Sequence, residues 1–371
     1  LGLSSVPAIN LAKKLIEIAP RGLTKVFYSD SGSTAVEIAL KIAFQYHQQS
    51  PAGDPAKKKF ISFVNAYHGD TIGSVSVGGI DLFHQMYRPM LFDSFKAESC
   101  YCYRCAFGKS YPGCDMPCLS HLEEIMKKHA GEVCALVIEP LVQGAAGILI
   151  QPSGYLKKVR ELCTRYGIFM IADEVAVGFG KTGKMFACEH EGVVPDIMAL
   201  AKGISGGYLP LAATLATDEI YQGFLGKYED FRTFFHGHTY TGNPLACAAA
   251  IASLDVFEKE KVLDHVQAVI ARMKERLAEF HALRHVGDVR QCGVMAGIEL
   301  VLDKGSREPF PLKENIGHQV ILEARKKGLI IRPLGGVIVL MPSLAISLAE
   351  TDRICDITYE SINAVTERRR G

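Results

Sequence analysis

Lys202 closes the apolar run Pro195-Asp196-Ile197-Met198-Ala199-Leu200-Ala201 and is followed at once by the glycine-rich turn Gly203-Ile204-Ser205-Gly206-Gly207. An ammonium at the buried end of a core strand is costly unless it is paired or neutralised, and a neutral amine is the nucleophile with which a carbonyl forms a Schiff base. Upstream, the apolar run Phe169-Met170-Ile171-Ala172 ends in Asp173-Glu174. An acid in that place is the kind of group that holds a pyridinium nitrogen protonated. Together the two residues point to pyridoxal phosphate. Taken singly, each is equally compatible with an ordinary strand end.

Three further chemistry-bearing clusters follow apolar runs. Asp30-Ser31-Gly32-Ser33 precedes an amphipathic segment over 34–46, so its hydroxyls and the N–H groups of a helix start can receive an anionic phosphate; a plain serine N-cap fits the same residues. In Asn65-Ala66-Tyr67-His68-Gly69 the tyrosine ring could stack on a flat heterocycle, or serve only the core. His68 has no metal-ligand partner at helical spacing and reads as either a hydrogen-bonded structural residue or a catalytic one. The last cluster is Glu139-Pro140.

Five strands must position these groups, over 24–29, 59–64, 133–138, 168–172 and 197–201, and helical patterns alternate with them. That alternation predicts an α/β fold with a mostly parallel sheet flanked by helices, whose ligands bind at the carboxyl ends of the strands. After about residue 254 the pattern changes to a long charged amphipathic helix and short apolar runs at 294–302 and 330–341. This divides the chain into a large domain over 1–253 and a smaller C-terminal α+β domain over 254–371.

Composition excludes several classes of function. The chain has 371 residues and a net charge of +1, so no electrostatic footprint favours nucleic acid or an anionic membrane. No apolar stretch approaches the roughly 20 residues that span a bilayer, and no signal-peptide pattern opens the chain. Small-molecule partners and a cytoplasmic location are expected. The 11 cysteines, an odd number, fit free thiols in a reducing compartment. Cys102-Tyr-Arg-Cys105 has the spacing of a metal-ligand pair, whereas Cys114 and Cys118 are less usually spaced; no metal is expected. The terminal Arg368-Arg369-Arg370 reads as a solvated tail rather than a nucleic-acid contact.

The stretches Asp30 to Glu37, Tyr67-His68-Gly69-Asp70, Asp173 to Gly183, Lys202-Gly203 and Thr239 to Cys247 resemble, in order and spacing, the class III, fold-type I pyridoxal-phosphate aminotransferases. The resemblance implies that Lys202 carries the cofactor and that Asp173 partners its pyridine nitrogen. It further implies that Ser31, Gly32 and Ser33 form the phosphate turn, that Tyr67 stacks on the ring and touches substrate, and that His68, Glu139 and Val175 complete the cofactor contacts. Arg332, in Leu329-Ile330-Ile331-Arg332-Pro333, matches an arginine that receives a substrate carboxylate. Thr239 matches a threonine that reaches the phosphate of the neighbouring subunit, which implies a homodimer. A ping-pong amino transfer between an amino donor and a keto acid follows.

Within the class, Ala145 and Ala176 stand where glutamate-cycling members tend to carry Glu and Gln, and the pattern resembles the branch of biotin biosynthesis that converts 8-amino-7-oxononanoate to 7,8-diaminononanoate. An ω-amino acid:pyruvate aminotransferase, an aminomutase and a catalytically silent binding protein are the alternatives. Val177 and His238 depart from the family's more frequent threonine and proline. The chain opens at Leu1 almost directly on a helix over 7–18 and holds no tryptophan, so a preceding segment that lends aromatic residues to the substrate pocket is expected.

Overall fold

Leu23–Ser29 (β1), Lys59–Phe63 (β2), Phe95–Ala97 (β3), Val133–Ile138 (β4), the short pair Val142–Gln143 (β5) and Leu149–Ile150 (β6), Phe169–Asp173 (β7), Ile197–Leu200 (β8) and Ala212–Thr217 (β9) are the strands of the first two-thirds of the chain. The computed structural model describes residues 3–367; the terminal arginines lie outside the described residues. Two compact units emerge. One holds the chain up to Leu141, Gln151–Phe179 and Lys184–Lys259; the other holds Val142–Ile150, Gly180–Gly183 and the chain from Glu260 onward.

The first unit is built on a seven-stranded sheet in the order β1-β9-β8-β7-β4-β2-β3. β9 runs antiparallel to both of its neighbours, and all other pairings are parallel. β1, β2, β3, β4, β7 and β8 therefore point the same way, and the carboxyl ends of the five strands expected from sequence meet at one edge. β4 is buried along its whole length, as a strand covered on both faces of a parallel sheet must be. Each of its fully buried Val, Ile and Leu side chains contributes about 1.5–3 kcal/mol.

Val6–Ile18 (α1) starts at Ser5, whose side chain accepts from the Ala8 N–H, and turns Leu11 and Leu15 inward. Gly32–Gln49 (α2) buries Ala35, Ile38, Ala39, Ile42, Ala43 and Tyr46, a three-and-four spacing that gives one apolar stripe against the sheet. It stops at Ser50, which precedes Pro51 and is thereby pushed out of helical conformation. Ile72–Val77 (α3), Asp81–His84 (α4), Pro117–His129 (α5), Tyr155–Tyr166 (α6), Asp218–Gln222 (α7) and Pro244–Lys259 (α8) complete the first unit.

The second unit pairs Val286–Cys292 (β10), Met295–Asp303 (β11), Arg332–Leu334 (β13) and Val337–Leu340 (β14) in the order β10-β11-β14-β13, with Glu308–Pro309 (β12) on β11. Every pairing is antiparallel. Val262–Ala278 (α9), Ile316–Lys326 (α10) and Leu348–Glu367 (α11) cover it. α9 buries Val266, Val269, Met273 and Leu277, while its Arg272 and Arg276 reach Asp352 on α11 at 2.7 and 3.1 Å. Among the described residues no helix is long and apolar enough to cross a membrane.

Candidate active site

The turn after β1 is shaped by its own hydroxyls. Ser31 caps α2 by accepting from the Thr34 N–H at 3.3 Å, and Thr34 Oγ1 accepts in return from the Ser31 N–H at 3.1 Å. The Ser33 hydroxyl turns away from the helix start: it donates to Thr71 Oγ1 and accepts from the Thr71 N–H, both at 2.9 Å. The Ser33 hydroxyl is thus not left pointing outward for an anion, whereas Ser31 is exposed. The N–H groups of Gly32 and Ser33, the first two of the helix, have no intrahelical acceptor and sit at its positive end. Gly32 is required by a close approach, since a Cβ there would lie 2.5 Å from Val175 Cγ1.

Asp173, at the end of β7, is buried, and its Oδ2 lies 2.7 Å from Nδ1 of the buried His68. Its Oδ1 accepts from the Val175 N–H at 3.1 Å. Each carboxylate oxygen keeps a second lone pair, enough for the N–H of a protonated pyridine. Nε2 of His68 is buried without a hydrogen-bond partner. Tyr67, next to it, is anchored by its N–H to Glu139 Oε1 at 3.1 Å and by its hydroxyl to Asp70 at 2.7 Å. Its ring lies nearly parallel to that of His84, with centroids 6.4 Å apart. Glu139 is buried and supports the Tyr67 loop through this bond.

Glu174 follows Asp173 but faces the interior. Its two oxygens accept from the N–H groups of Ala187 and Cys188 at 2.9 and 2.8 Å. Burial pushes its carboxyl up to about 7, against the opposite pull of these two donors.

Lys202 corrects one expectation. It is exposed, not buried. β8 ends at Leu200 and Ala201 is buried, but Lys202 enters the next turn in the left-handed region with φ +46°, and the chain's change of direction puts the side chain in solvent. A non-glycine residue held there stores on the order of 1 kcal/mol and marks a position that sheet packing alone does not require. The next residue, Gly203, is needed for space: a Cβ would lie 2.7 Å from Phe179 Cβ. Lys202 also neighbours the Asp173 edge through the sheet, since Asp173 pairs with Ala199 and the Glu174 N–H reaches the Ala199 carbonyl at 3.0 Å.

Thr239 is exposed, and the preceding His238 contacts Asp30 at 3.0 Å, beside the turn that opens α2. The first unit therefore brings together Ser31, Gly32, Ser33, Tyr67, His68, Glu139, Asp173, Val175 and the approach to Thr239, with Lys202 on the adjacent strand end. Arg332 opens β13 in the second unit and is exposed. Sequence reasoning missed Thr71 and the second tie it makes, to Glu37. The signal was the Ser33-to-Glu37 spacing, one helical turn on the same face.

A profile of the aminotransferase class-III family matches residues 2–362. The chain is 60% identical over 367 residues to an adenosylmethionine-8-amino-7-oxononanoate aminotransferase of Nitratidesulfovibrio vulgaris, covering 99% of this chain and 68% of that relative. The chain belongs to the class III aminotransferases. A relative of the same name from Geobacter sulfurreducens is 58% identical, over 99% of this chain and 81% of its own length. The solved structure of the Methanocaldococcus jannaschii protein of that name superposes with a TM-score of 0.92 at 46% identity, covering 98% of this chain and 81% of that one. An amine transaminase from an uncultivated Pseudomonas species, solved in its pyridoxal-phosphate-bound form, gives a TM-score of 0.92 at 36% identity, with 99% of this chain and 82% of that one covered.

As a class III aminotransferase the protein is a pyridoxal-phosphate-dependent transaminase acting on an amino donor and a keto acceptor. The residues fit the cofactor on their own chemistry: a buried carboxylate with spare lone pairs, a helix start with two unpaired N–H groups, a glycine cradle walled by Val175, and an exposed lysine in a strained turn. Among the described residues no three His, Cys, Asp or Glu side chains come together as a metal-ligand set. Cys100 and Cys118 approach each other at 3.3 Å, and among the described residues no cysteine is in a disulfide.

Proposed function

We propose that this class III aminotransferase converts 8-amino-7-oxononanoate to 7,8-diaminononanoate in biotin biosynthesis, with S-adenosylmethionine as amino donor. The substrate assignment rests on the names borne by the relatives at 58 and 60% identity. The chemistry is supported by the buried Asp173–His68 pair at 2.7 Å, one strand away from Lys202.

When bound, pyridoxal phosphate supplies an electron sink for the carbon that gains or loses the amino group. Lys202 Nζ would hold the cofactor and, once freed by the donor, would move the proton from the donor's amine-bearing carbon to the cofactor's exocyclic carbon within the same half-reaction; on the keto acceptor it would run the same transfer in reverse. Asp173 accepts the pyridine N–H and keeps that nitrogen protonated, while the bond from His68 fixes the carboxylate's orientation. The Gly32 and Ser33 N–H groups and the Ser31 turn receive the phosphate. Tyr67 and Val175 flank the ring, Tyr67 also touches substrate, and Glu139 holds the Tyr67 loop in place. Arg332, with a planar bidentate guanidinium, receives the substrate carboxylate.

The protein works as a homodimer in the cytoplasm, Thr239 of each subunit donating to the phosphate in its partner's site. The free cysteines agree with a reducing compartment. The larger domain over 1–253 carries the cofactor, and the smaller one over 254–371 carries Arg332.

Absorbance spectroscopy of the protein with pyridoxal phosphate tests this reading. Adding S-adenosylmethionine is expected to discharge the visible band of the bound cofactor, and 8-amino-7-oxononanoate to restore it. A band discharged by ω-amino acids and restored by pyruvate, but indifferent to both proposed substrates, would replace the biotin-pathway assignment with an ω-amino acid aminotransferase.

A further inference from the structure

Glu37 belongs to no expected set of site residues, yet it ties together two elements of the site. It lies on α2 one turn beyond Ser33, so the two side chains share a helix face. Glu37 Oε2 accepts from Thr71 Oγ1 at 2.7 Å and from the Ser74 N–H at 3.1 Å. Thr71 in turn both donates to and accepts from the Ser33 hydroxyl through the two 2.9 Å bonds already described. Ser74 Oγ closes the circuit by donating to the Ser33 carbonyl at 2.9 Å.

Local sequence does not provide this arrangement, because Thr71 precedes α3 in the N-cap position but makes no side-chain cap bond to it. The carboxylate of Glu37 replaces that cap from a different helix by taking the N–H of the third residue of α3. Gly73 makes room for it: a Cβ there would meet both Glu37 oxygens at 2.5 Å. Hydrogen bonds to an ionised acceptor are shorter and roughly twice as strong as neutral ones. The tie is therefore stiff where two serines and a threonine alone would leave it loose.

We propose that Glu37 is a positioning residue that fixes the distance between the phosphate turn at residues 31–33 and the loop of Tyr67 and His68. It does so through Thr71. The two ends of one rigid cofactor must be met by both elements at once, so an error in their spacing weakens the hold on the phosphate. This inference rests on the assignment of the Gly32–Ser33 turn to the phosphate.

The test compares the affinity of the apoenzyme for pyridoxal phosphate with its affinity for pyridoxal, which lacks the phosphate, by absorbance titration of wild type, Glu37→Ala, Glu37→Gln and Thr71→Val. Glu37→Ala is expected to weaken pyridoxal phosphate by about tenfold, the equivalent of a lost charge-assisted bond, and pyridoxal by less than about twofold. Glu37→Gln, which keeps one acceptor oxygen, should recover part of the loss. Thr71→Val should lose as much as Glu37→Ala, with the double variant no worse than either, because both cut one circuit; it also serves if Glu37→Ala does not fold. Equal weakening of the two ligands, or unchanged affinity for both, would overturn the positioning role and leave Glu37 a purely structural cap. A wild-type enzyme that binds the two ligands equally would overturn the phosphate-turn assignment itself, and this inference with it.

Discussion

The carboxyl edge of the first unit's sheet and the β10–β11 pair of the second unit's sheet both gather charged groups, but they treat them differently. In the second unit Arg290 donates to Asp288 and Glu299 at 2.7 Å each, and to the carbonyls of Gly147 and Ile148. Each guanidinium nitrogen finds an acceptor, and the side chains of Arg290 and Glu299 are 9% and 6% exposed. At the first edge Asp173 keeps spare lone pairs, His68 Nε2 has no partner, and Lys202 is held exposed in a left-handed turn. A network closed on itself holds a fold together. One left open keeps its capacity for a ligand.

Breaking each region should therefore give different losses. Arg290→Ala removes a largely buried guanidinium together with its ion pairs to Asp288 and Glu299 and its bonds to two carbonyls, and should lower unfolding stability by about 3–5 kcal/mol in urea titration while leaving the cofactor affinity of the folded fraction unchanged. Asp173→Ala should do the reverse. It is expected to retain weak cofactor binding and to lose only about 1–3 kcal/mol of stability, for the His68 Nδ1 and Val175 N–H that it leaves without their acceptor, but to lose about 10²–10³-fold in turnover, the usual effect of removing one preorganised electrostatic partner. Near-normal turnover in that variant would remove Asp173 from the mechanism.

The neighbouring acids Asp173 and Glu174 sharpen the same comparison within one loop. Burial raises the Glu174 carboxyl to about 7 in the folded state, from an ordinary 4.5. Its contribution to stability is thus fully present below pH 4.5 and is lost as the pH rises through 7, because the unfolded chain releases its proton first. Glu174→Gln should flatten this: the stability difference between wild type and variant should shift toward the variant between pH 4.5 and 7, at a slope approaching about 1.4 kcal/mol per pH unit. Parallel pH profiles would refute the shift. The smallest change in stability is expected at Lys202→Gly, which should stabilise the apoprotein by about 1 kcal/mol by relieving the left-handed turn, although it abolishes turnover.

Much of this edge was legible in the sequence, because the strands that build it are apolar runs ending in reactive residues. β4 was bounded to the residue, and β1, β2, β7 and β8 to within a position at either end. β9 was missed: Ala212, Ala213 and Ala216 give it little β-branched bulk, and its antiparallel direction is set by its neighbours. β3 is too short, at three residues, to show a period. The short segments Val142–Ile150 and Gly180–Gly183 join the second unit through contacts made after residue 259, which no local pattern encodes. The same limit applies to the site. The Ser33 hydroxyl looked available for phosphate until Thr71, 38 residues on, was seen to hold it. The exposure of Lys202 depends on one backbone angle that an apolar run cannot announce.

The central claim is that Lys202 is the amine that holds the cofactor, and reductive trapping tests it most directly. The protein is incubated with pyridoxal phosphate, reduced with borohydride, digested and mapped by mass spectrometry. A stoichiometric pyridoxyl group on Lys202, absent from Lys202→Ala, is the predicted result; the group on another lysine, or an equal yield in the variant, would contradict the account.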